Sequence, residues 1–328
     1  MSRRSLSAAK NISSGYGLAG MGDASRQEIH EASLEVLWHT GIKTHCREAL
    51  EYYDGAGCTV DKKSGSVYIP AHVVEDSIIS TPSSVTLAGR IPENDIHLEG
   101  QRVNFCNFSK GVNVVDPYTG EYRPSVWEDQ VRAAKLVDAL EQYDLLDVAV
   151  ESRDLPPEIA NLAGYQAMAA NSTKHCTQSA HSRREAEKFV EMAFAVAGGK
   201  ENFARRPLAS TVVCPTSPLT LSPETTEPII VYAANGAPCT VLSMALAGGT
   251  SPVTLAGTMV THNAEVLSGI VLGQAVKKGA PNLYGSSTTI MDLRSASATI
   301  GCPELGMISA AVARMAQFYR IPSYVAGS

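Results

Sequence analysis

His262 and Glu265 stand three residues apart in Val260-Thr-His-Asn-Ala-Glu-Val-Leu-Ser-Gly-Ile-Val-Leu272. On a helix that spacing puts both side chains on one face. Their neighbours are strongly apolar, and burying an ionisable pair costs free energy unless it has a partner or a purpose. Two readings stand: a satisfied pair that fixes helix packing, or a pair that serves a site. Glu304 follows Pro303 at the start of another helical pattern. A carboxylate in a first helical turn favours the helix dipole, and it could equally face a ligand. Tyr284 lies in a strand-like run, where its ring could wall a pocket for a cation or simply pack in the core. It is followed by the small polar run Ser286-Ser-Thr-Thr289. No Ser–His–Asp set, no HExxH and no two-carboxylate design accompanies these residues. Such a set suits an enzyme whose reactive group is a cofactor, a bound partner or a residue elsewhere.

These side chains need elements to hold them. After residue 100, short apolar runs alternate with helical patterns. The candidate strands are Val103–Phe108, Leu145–Ser152, Lys174–Ala180, Leu208–Cys214, Cys239–Ala245, Asn282–Thr288 and Pro322–Gly327. The candidate helices are Trp127–Glu141, Glu158–Asn171, Arg184–Ala197, Pro223–Asn235, Pro252–Val276 and Pro303–Phe318. That alternation predicts a parallel sheet with crossover helices. Pro223, Pro252 and Pro303 each suit a first helical position, where a missing N–H does no harm. Seven such strands fall one short of the eight that close a (β/α)8 TIM barrel. Active sites of such barrels lie at the C-terminal strand ends, which here are rich in small polar residues, as in Cys214-Pro-Thr-Ser217 and Ser243-Met244. No GxGxxG or GxxxxGK[ST] loop follows a strand, against a Rossmann or P-loop reading. The front of the chain divides into a loose arm over 1–24 and a small α+β section over 25–100. Within that section Ser25 is read as a helix cap, Gly41 as a helix end, and Ser64-Gly65 as the turn of a hairpin. Residues 101–328 form an incomplete barrel domain whose last strand coincides with the apolar end Tyr324-Val-Ala-Gly-Ser328.

The balance of 27 basic and 33 acidic residues gives a net charge of −6, without the basic excess of a nucleic-acid binder. Seven cysteines without a CxxC pair predict buried, reduced thiols and no metal site, which fits a cytoplasmic protein. His262, Asn263 and Glu265 interrupt the longest apolar helix pattern, so no membrane span is read.

Several segments are similar to the trimethylamine methyltransferase family of methanogens. They are Cys214-Pro-Thr-Ser-Pro-Leu-Thr-Leu-Ser222, the Val260–Leu272 run, Tyr284-Gly-Ser-Ser-Thr-Thr289, Gly301-Cys-Pro-Glu-Leu-Gly306 and Ile321-Pro-Ser-Tyr-Val-Ala-Gly327. Ile69-Pro70, Ser109-Lys-Gly-Val112 and Thr173-Lys-His175 fit more loosely. The resemblance implies a (β/α)8 barrel with a small N-terminal section, and transfer of a methyl group from trimethylamine to the Co(I) corrinoid of a partner protein during methanogenesis. It also implies a homo-oligomer when full length. The family's reactive residue is pyrrolysine, encoded by an in-frame amber codon directly after a segment like Tyr324–Ser328. The expectation is therefore a barrel cut after about its seventh strand, with a TAG codon following Ser328 and a short form that is inactive by itself. In this reading Glu265 and Glu304 are the catalytic carboxylates that tune the absent residue, while Tyr284, Ser286 and His262 shape the substrate pocket.

Two alternatives stand beside this one. A corrinoid methyltransferase of the glycine betaine type, without pyrrolysine, would share most of these segments. A non-catalytic fragment that binds an amine or the corrinoid protein would share them too, although open sheet edges argue against a stable one.

Overall fold

The computed structural model describes residues 21–327. The arm read over 1–24 falls almost entirely outside them, and from Asp23 the chain is helical. The chain forms two compact units: Val85–Ala180 with Arg184–Thr211, and a second made of residues up to Ser84, His181–Arg183 and Val212 onward.

The second unit opens with α1 (Asp23–Glu35). Ser25 does not cap it: Gly22 occupies the cap position, and no side chain accepts a bond there. A π-helical turn, Val36–Thr40, prolongs α1. Gly41 stops it with a φ of +73°, and a Cβ there would meet the Val67 carbonyl at 2.5 Å. Next come β1 (Ile42–Lys43), α2 (Arg47–Gly55), β2 (Thr59–Asp61), β3 (Ser66–Tyr68) and α3 (Ala71–Ser80). The three strands make an antiparallel sheet in the order β1-β3-β2, with Gly65 in the turn at φ +73°.

The first unit begins around β4 (Ser84–Leu87) and β5 (Ile96–Glu99). The hairpin β6 (Asn113–Val115) and β7 (Tyr122–Pro124) follows, and then α4 (Trp127–Ala139), β8 (Leu145–Asp147), α5 (Pro157–Asn171), β9 (His175–Thr177), α6 (Arg183–Ala197), α7 (Lys200–Arg205) and β10 (Ala209–Val213). β8, β9 and β10 are parallel neighbours, with Leu145 opposite His175 and Cys176 opposite Ala209. The strand expected over Val103–Phe108 does not form. A single parallel bridge, Cys106 to Leu145, is all that remains of it. Side chains take over its ladder positions: Asp144 Oδ2 accepts from the Phe105 N–H at 2.9 Å, and the Asn107 amide bonds both the N–H and the carbonyl of Asp147. Asn and Asp compete with sheet pairing in this way.

The chain returns to the second unit with α8 (Pro223–Asn235), β11 (Cys239–Ser243), β12 (Leu246–Ala247), α9 (Leu255–Val276), β13 (Asn282–Ser286), β14 (Thr289–Asp292), β15 (Ser297–Ala298), α10 (Pro303–Tyr319) and β16 (Ser323–Val325). β11, β13 and β16 run parallel. Six of the seven expected strands thus form among the described residues, all shorter than the sequence reading gave them. β12, β14 and β15 form a separate small sheet after the strand ends. Pro252 is not the first residue of α9; Thr254 caps that helix by accepting from the Gly257 N–H at 3.2 Å. α9 is buried on every side over most of its length, as an evenly apolar helix requires. Gly269 lets it lie against β11, since a Cβ there would sit 2.7 Å from Val241 Cγ1. No helix among the described residues is long and apolar enough to cross a membrane.

None of the seven cysteines forms a disulfide; Cys46, Cys58, Cys176 and Cys239 are buried, Cys106 and Cys302 half-buried. Cys214 is exposed, contrary to its apolar sequence context, because it lies just past the end of β10.

Candidate functional site

Glu265, in the middle of α9, has no exposed surface, yet its carboxylate is well supplied with donors. Oε2 accepts from Ser243 Oγ at 2.5 Å and from Ser217 Oγ at 2.9 Å, and Oε1 accepts from the Leu219 N–H at 2.9 Å. Burial pushes its pKa up, and these three bonds oppose the shift. Ser243 ends β11, whereas Ser217 and Leu219 belong to the connection from β10 to α8. There Thr216 and Thr220 exchange both backbone bonds, at 2.8 and 3.0 Å, and turn the chain tightly through Ser217, Pro218 and Leu219. Leu219 sits at φ +54°, a left-handed conformation that costs a non-glycine residue about 1–2 kcal/mol. The outer side of the turn is held by Lys43 of β1, which bonds the Leu219 carbonyl and the Leu221 N–H, both at 2.8 Å.

Ser243 also ties two strand exits together. Its carbonyl accepts from the Ser287 N–H at 2.9 Å and from Thr288 Oγ at 3.3 Å. Ser286 Oγ accepts from the Thr288 N–H at 3.1 Å, and the Ser286 carbonyl accepts from the Ala326 N–H at 2.9 Å. The C-terminal ends of β11, β13 and β16 are therefore joined by small hydroxyl and backbone groups, with Glu265 as the charged member.

His262 points elsewhere. Its Nε2–H donates to the Gly285 carbonyl at 3.1 Å, and its ring meets Tyr284 edge to face, with centroids 5.3 Å apart. Burial lowers the imidazole pKa to about 4, so it is neutral at pH 7. The Tyr284 hydroxyl donates to Asn263 Oδ1 at 2.6 Å, and burial raises its pKa. Asn263 Nδ2 in turn reaches Ser33 of α1 and the Tyr319 hydroxyl, both at 2.9 Å, and that hydroxyl lies 3.0 Å from His30 Nδ1. Burial lowers the pKa of His30 as well, which suits an acceptor nitrogen. His262 and Tyr284 thus belong to a closed network that binds α1, α10 and β13 to α9. Both side chains are fully buried within it. Asn263, Tyr319 and His30 complete the network; nothing in their spacing joined them, because they come from three separate helices.

Glu304 is half-buried in the first turn of α10. The helix is capped by Cys302, whose Sγ accepts from the Leu305 N–H at 3.4 Å and lies within 3.6 Å of the Thr289 and Thr299 hydroxyls. Burial raises the pKa of that thiol, but these hydrogen bonds outweigh it and bring the net value down. Glu304, unlike Glu265, retains exposed surface. Among the described residues no three His, Cys, Asp or Glu side chains are grouped to hold a metal ion.

The first unit holds its own buried basic pair. The Lys174 ammonium donates to the Val137 and Leu140 carbonyls at 2.5 and 2.7 Å and so caps the C-terminus of α4. His175 Nδ1–H donates to the Ala88 carbonyl at 3.0 Å while Nε2 accepts from Ser210 Oγ at 2.8 Å. Burial lowers this histidine to about 4.

Residues 3–328 match the family model described as trimethylamine methyltransferase. A trimethylamine methyltransferase of Desulfitobacterium hafniense is 48% identical over 95% of this chain and 63% of its own length. One from Methanosarcina barkeri is 43% identical over 92% of this chain and 62% of its own. A glycine betaine methyltransferase of Desulfitobacterium hafniense is 32% identical over the same share of this chain. The crystal structure of the Methanosarcina barkeri monomethylamine methyltransferase superposes with a TM-score of 0.55 at 12% identity, covering 92% of this chain and 65% of that one; this supports the α/β fold of parallel strands and crossover helices. The chain spans somewhat under two thirds of the length of these relatives. On the match across almost all of its residues, the chain belongs to the trimethylamine methyltransferase family.

Proposed function

We propose that this protein takes part in methyl transfer from trimethylamine to the corrinoid of a partner protein. The observation that carries the reading is the family match over residues 3–328, joined to the hydroxyl and backbone groups at the ends of β11 and β13. The partner's Co(I) supplies the nucleophile: it attacks a methyl carbon, the C–N bond breaks, and its electron pair stays on nitrogen. The amine nitrogen must carry a positive charge for dimethylamine to leave. What this chain contributes is a place for that cation, held in line for attack. Glu304 is the carboxylate with exposed surface, at the N-terminal turn of α10, and in this reading it pairs with the ammonium group. The one carboxylate bonded at the exits around Ser243, Glu265, is enclosed by its own donors.

The greater identity to the trimethylamine enzymes than to the glycine betaine enzyme favours trimethylamine as substrate. The test uses the protein made from its native gene, a reduced corrinoid protein, and visible spectroscopy of cobalt. Trimethylamine should convert Co(I) to methyl-Co(III), and Glu304→Gln should slow that conversion at least tenfold. Conversion by glycine betaine alone, or none with either amine, would overturn the proposal.

A further inference from the structure

We infer that Glu265 is a positioning residue: it fixes the turn Thr216–Thr220 at the strand exits and does not itself meet the amine. The inference deepens the methyl-transfer reading and rests on it for its kinetic part. Three observations carry it. The carboxylate is fully enclosed, and its short contacts run to Ser217, Ser243 and the Leu219 N–H. Two of those donors lie in one turn and the third ends the β11 strand, so a single side chain sets the turn's place beside that strand. The turn needs such a hold, because Leu219 is left-handed and its N–H has turned away from regular pairing. Lys43 secures only the outer backbone edge; the inner edge depends on Glu265.

A charged anchor is more exacting than a neutral one. A carboxylate accepts along about four lone-pair directions, and its bonds are stronger than those of an amide. Leucine in its place would fill the space and leave the turn free to relax. In parallel α/β folds ligands bind outside the carboxyl ends of the strands, so a turn fixed there fixes part of the wall a ligand meets.

Glu265→Gln retains the shape but gives up one acceptor and the charge; Ser217→Ala removes one donor and leaves the carboxylate intact. Two readouts separate positioning from contact. Amide hydrogen exchange at residues 214–221 should accelerate at least tenfold in Glu265→Gln and less in Ser217→Ala. In methyl transfer by the native protein, KM for trimethylamine should rise several-fold in both variants, with kcat changed less than KM. Glu265→Asp, which retains the charge one methylene short, should recover part of the exchange protection. Loss of kcat with unchanged KM and unchanged exchange would overturn the inference in favour of direct participation. Unchanged exchange and kinetics in both variants would overturn it as well. Should the wild-type protein fail to demethylate trimethylamine, the functional reading falls, while the exchange experiment still decides whether Glu265 holds the turn.

Discussion

The two units tie down their strand exits in different ways. In the first, Gln130 of α4, with no exposed surface, accepts from the Ala149 and Val150 N–H groups at 2.9 and 3.0 Å just past β8, beside the shorter reach of Asp147, which ends that strand and accepts from the Val148 N–H at 2.7 Å. In the second, which resumes at Val212 within β10, a buried carboxylate accepts from two hydroxyls and one N–H past β10 and β11. An amide satisfies two stray donors without bringing a charge out of water. A carboxylate does the same at a larger desolvation cost, which Glu265 meets with three donors.

Acid exposes the largest contrast. His175 in the first unit and His262 in the second both have pKa values lowered to about 4 by burial. Between the ordinary histidine value near 6.5 and 4, the unfolded chain binds protons that the folded chain refuses. Stability is therefore lost as pH falls through that window, by about 3 kcal/mol for each histidine. Glu265 acts in the opposite sense. Its raised pKa gives a contribution that is present at low pH and lost as pH rises through its folded value. His30 and His262 both lose stability for the second unit in acid and Glu265 offsets part of it, so Glu265→Gln should enlarge that unit's loss between pH 6.5 and 4. The only two tryptophans are Trp127 in the first unit and Trp38 in the second, so urea unfolding of Trp38→Phe and Trp127→Phe reads each unit separately. An acid loss of the second unit unchanged by Glu265→Gln would break the comparison.

A smaller effect sharpens it. Glu265→Leu leaves three donors without an acceptor and should cost about 3 kcal/mol, whereas Gln130→Leu leaves two and should cost about 2 kcal/mol. Urea midpoints at pH 7 measure both. A larger loss at Gln130 would mean that the neutral tie is the stronger one.

The smallest effect concerns thiols. Cys302, half-buried with hydrogen bonds that lower its pKa, should react with iodoacetamide in the native protein, and so should exposed Cys214. Cys58 and Cys176, pushed up to about 12 by burial, should stay unlabelled until the protein unfolds. Mass spectrometry of digests taken over time at pH 7.5 gives the order. Early labelling of Cys176 would show that the first unit opens more readily than its packing implies.

Particular residues show how far the sequence could be read. Pro223–Asn235 was legible to the residue, because a proline start and a glycine end punctuate it. Val103–Phe108 had the apolar content of a strand, but the side chains of Asn107 within it and Asp144 beyond it took over the ladder positions. Tyr284 and His262, expected to shape a substrate pocket, are buried in a hydrogen-bonded network whose other members come from distant helices. Glu265 was singled out by the cost of an acid in an apolar helix. What it holds was invisible, since Ser217, Leu219 and Ser243 lie 48, 46 and 22 residues away.

By itself the sequence determined the alternation of strands and helices, the family, and the unusual chemistry of α9, because apolar periodicity and residue type are local properties. Only the tertiary structure decided which donors meet the buried carboxylate, which polar groups close on one another, and which thiols reach solvent. Those outcomes depend on atoms brought together from distant parts of the chain, and no local pattern encodes their distances.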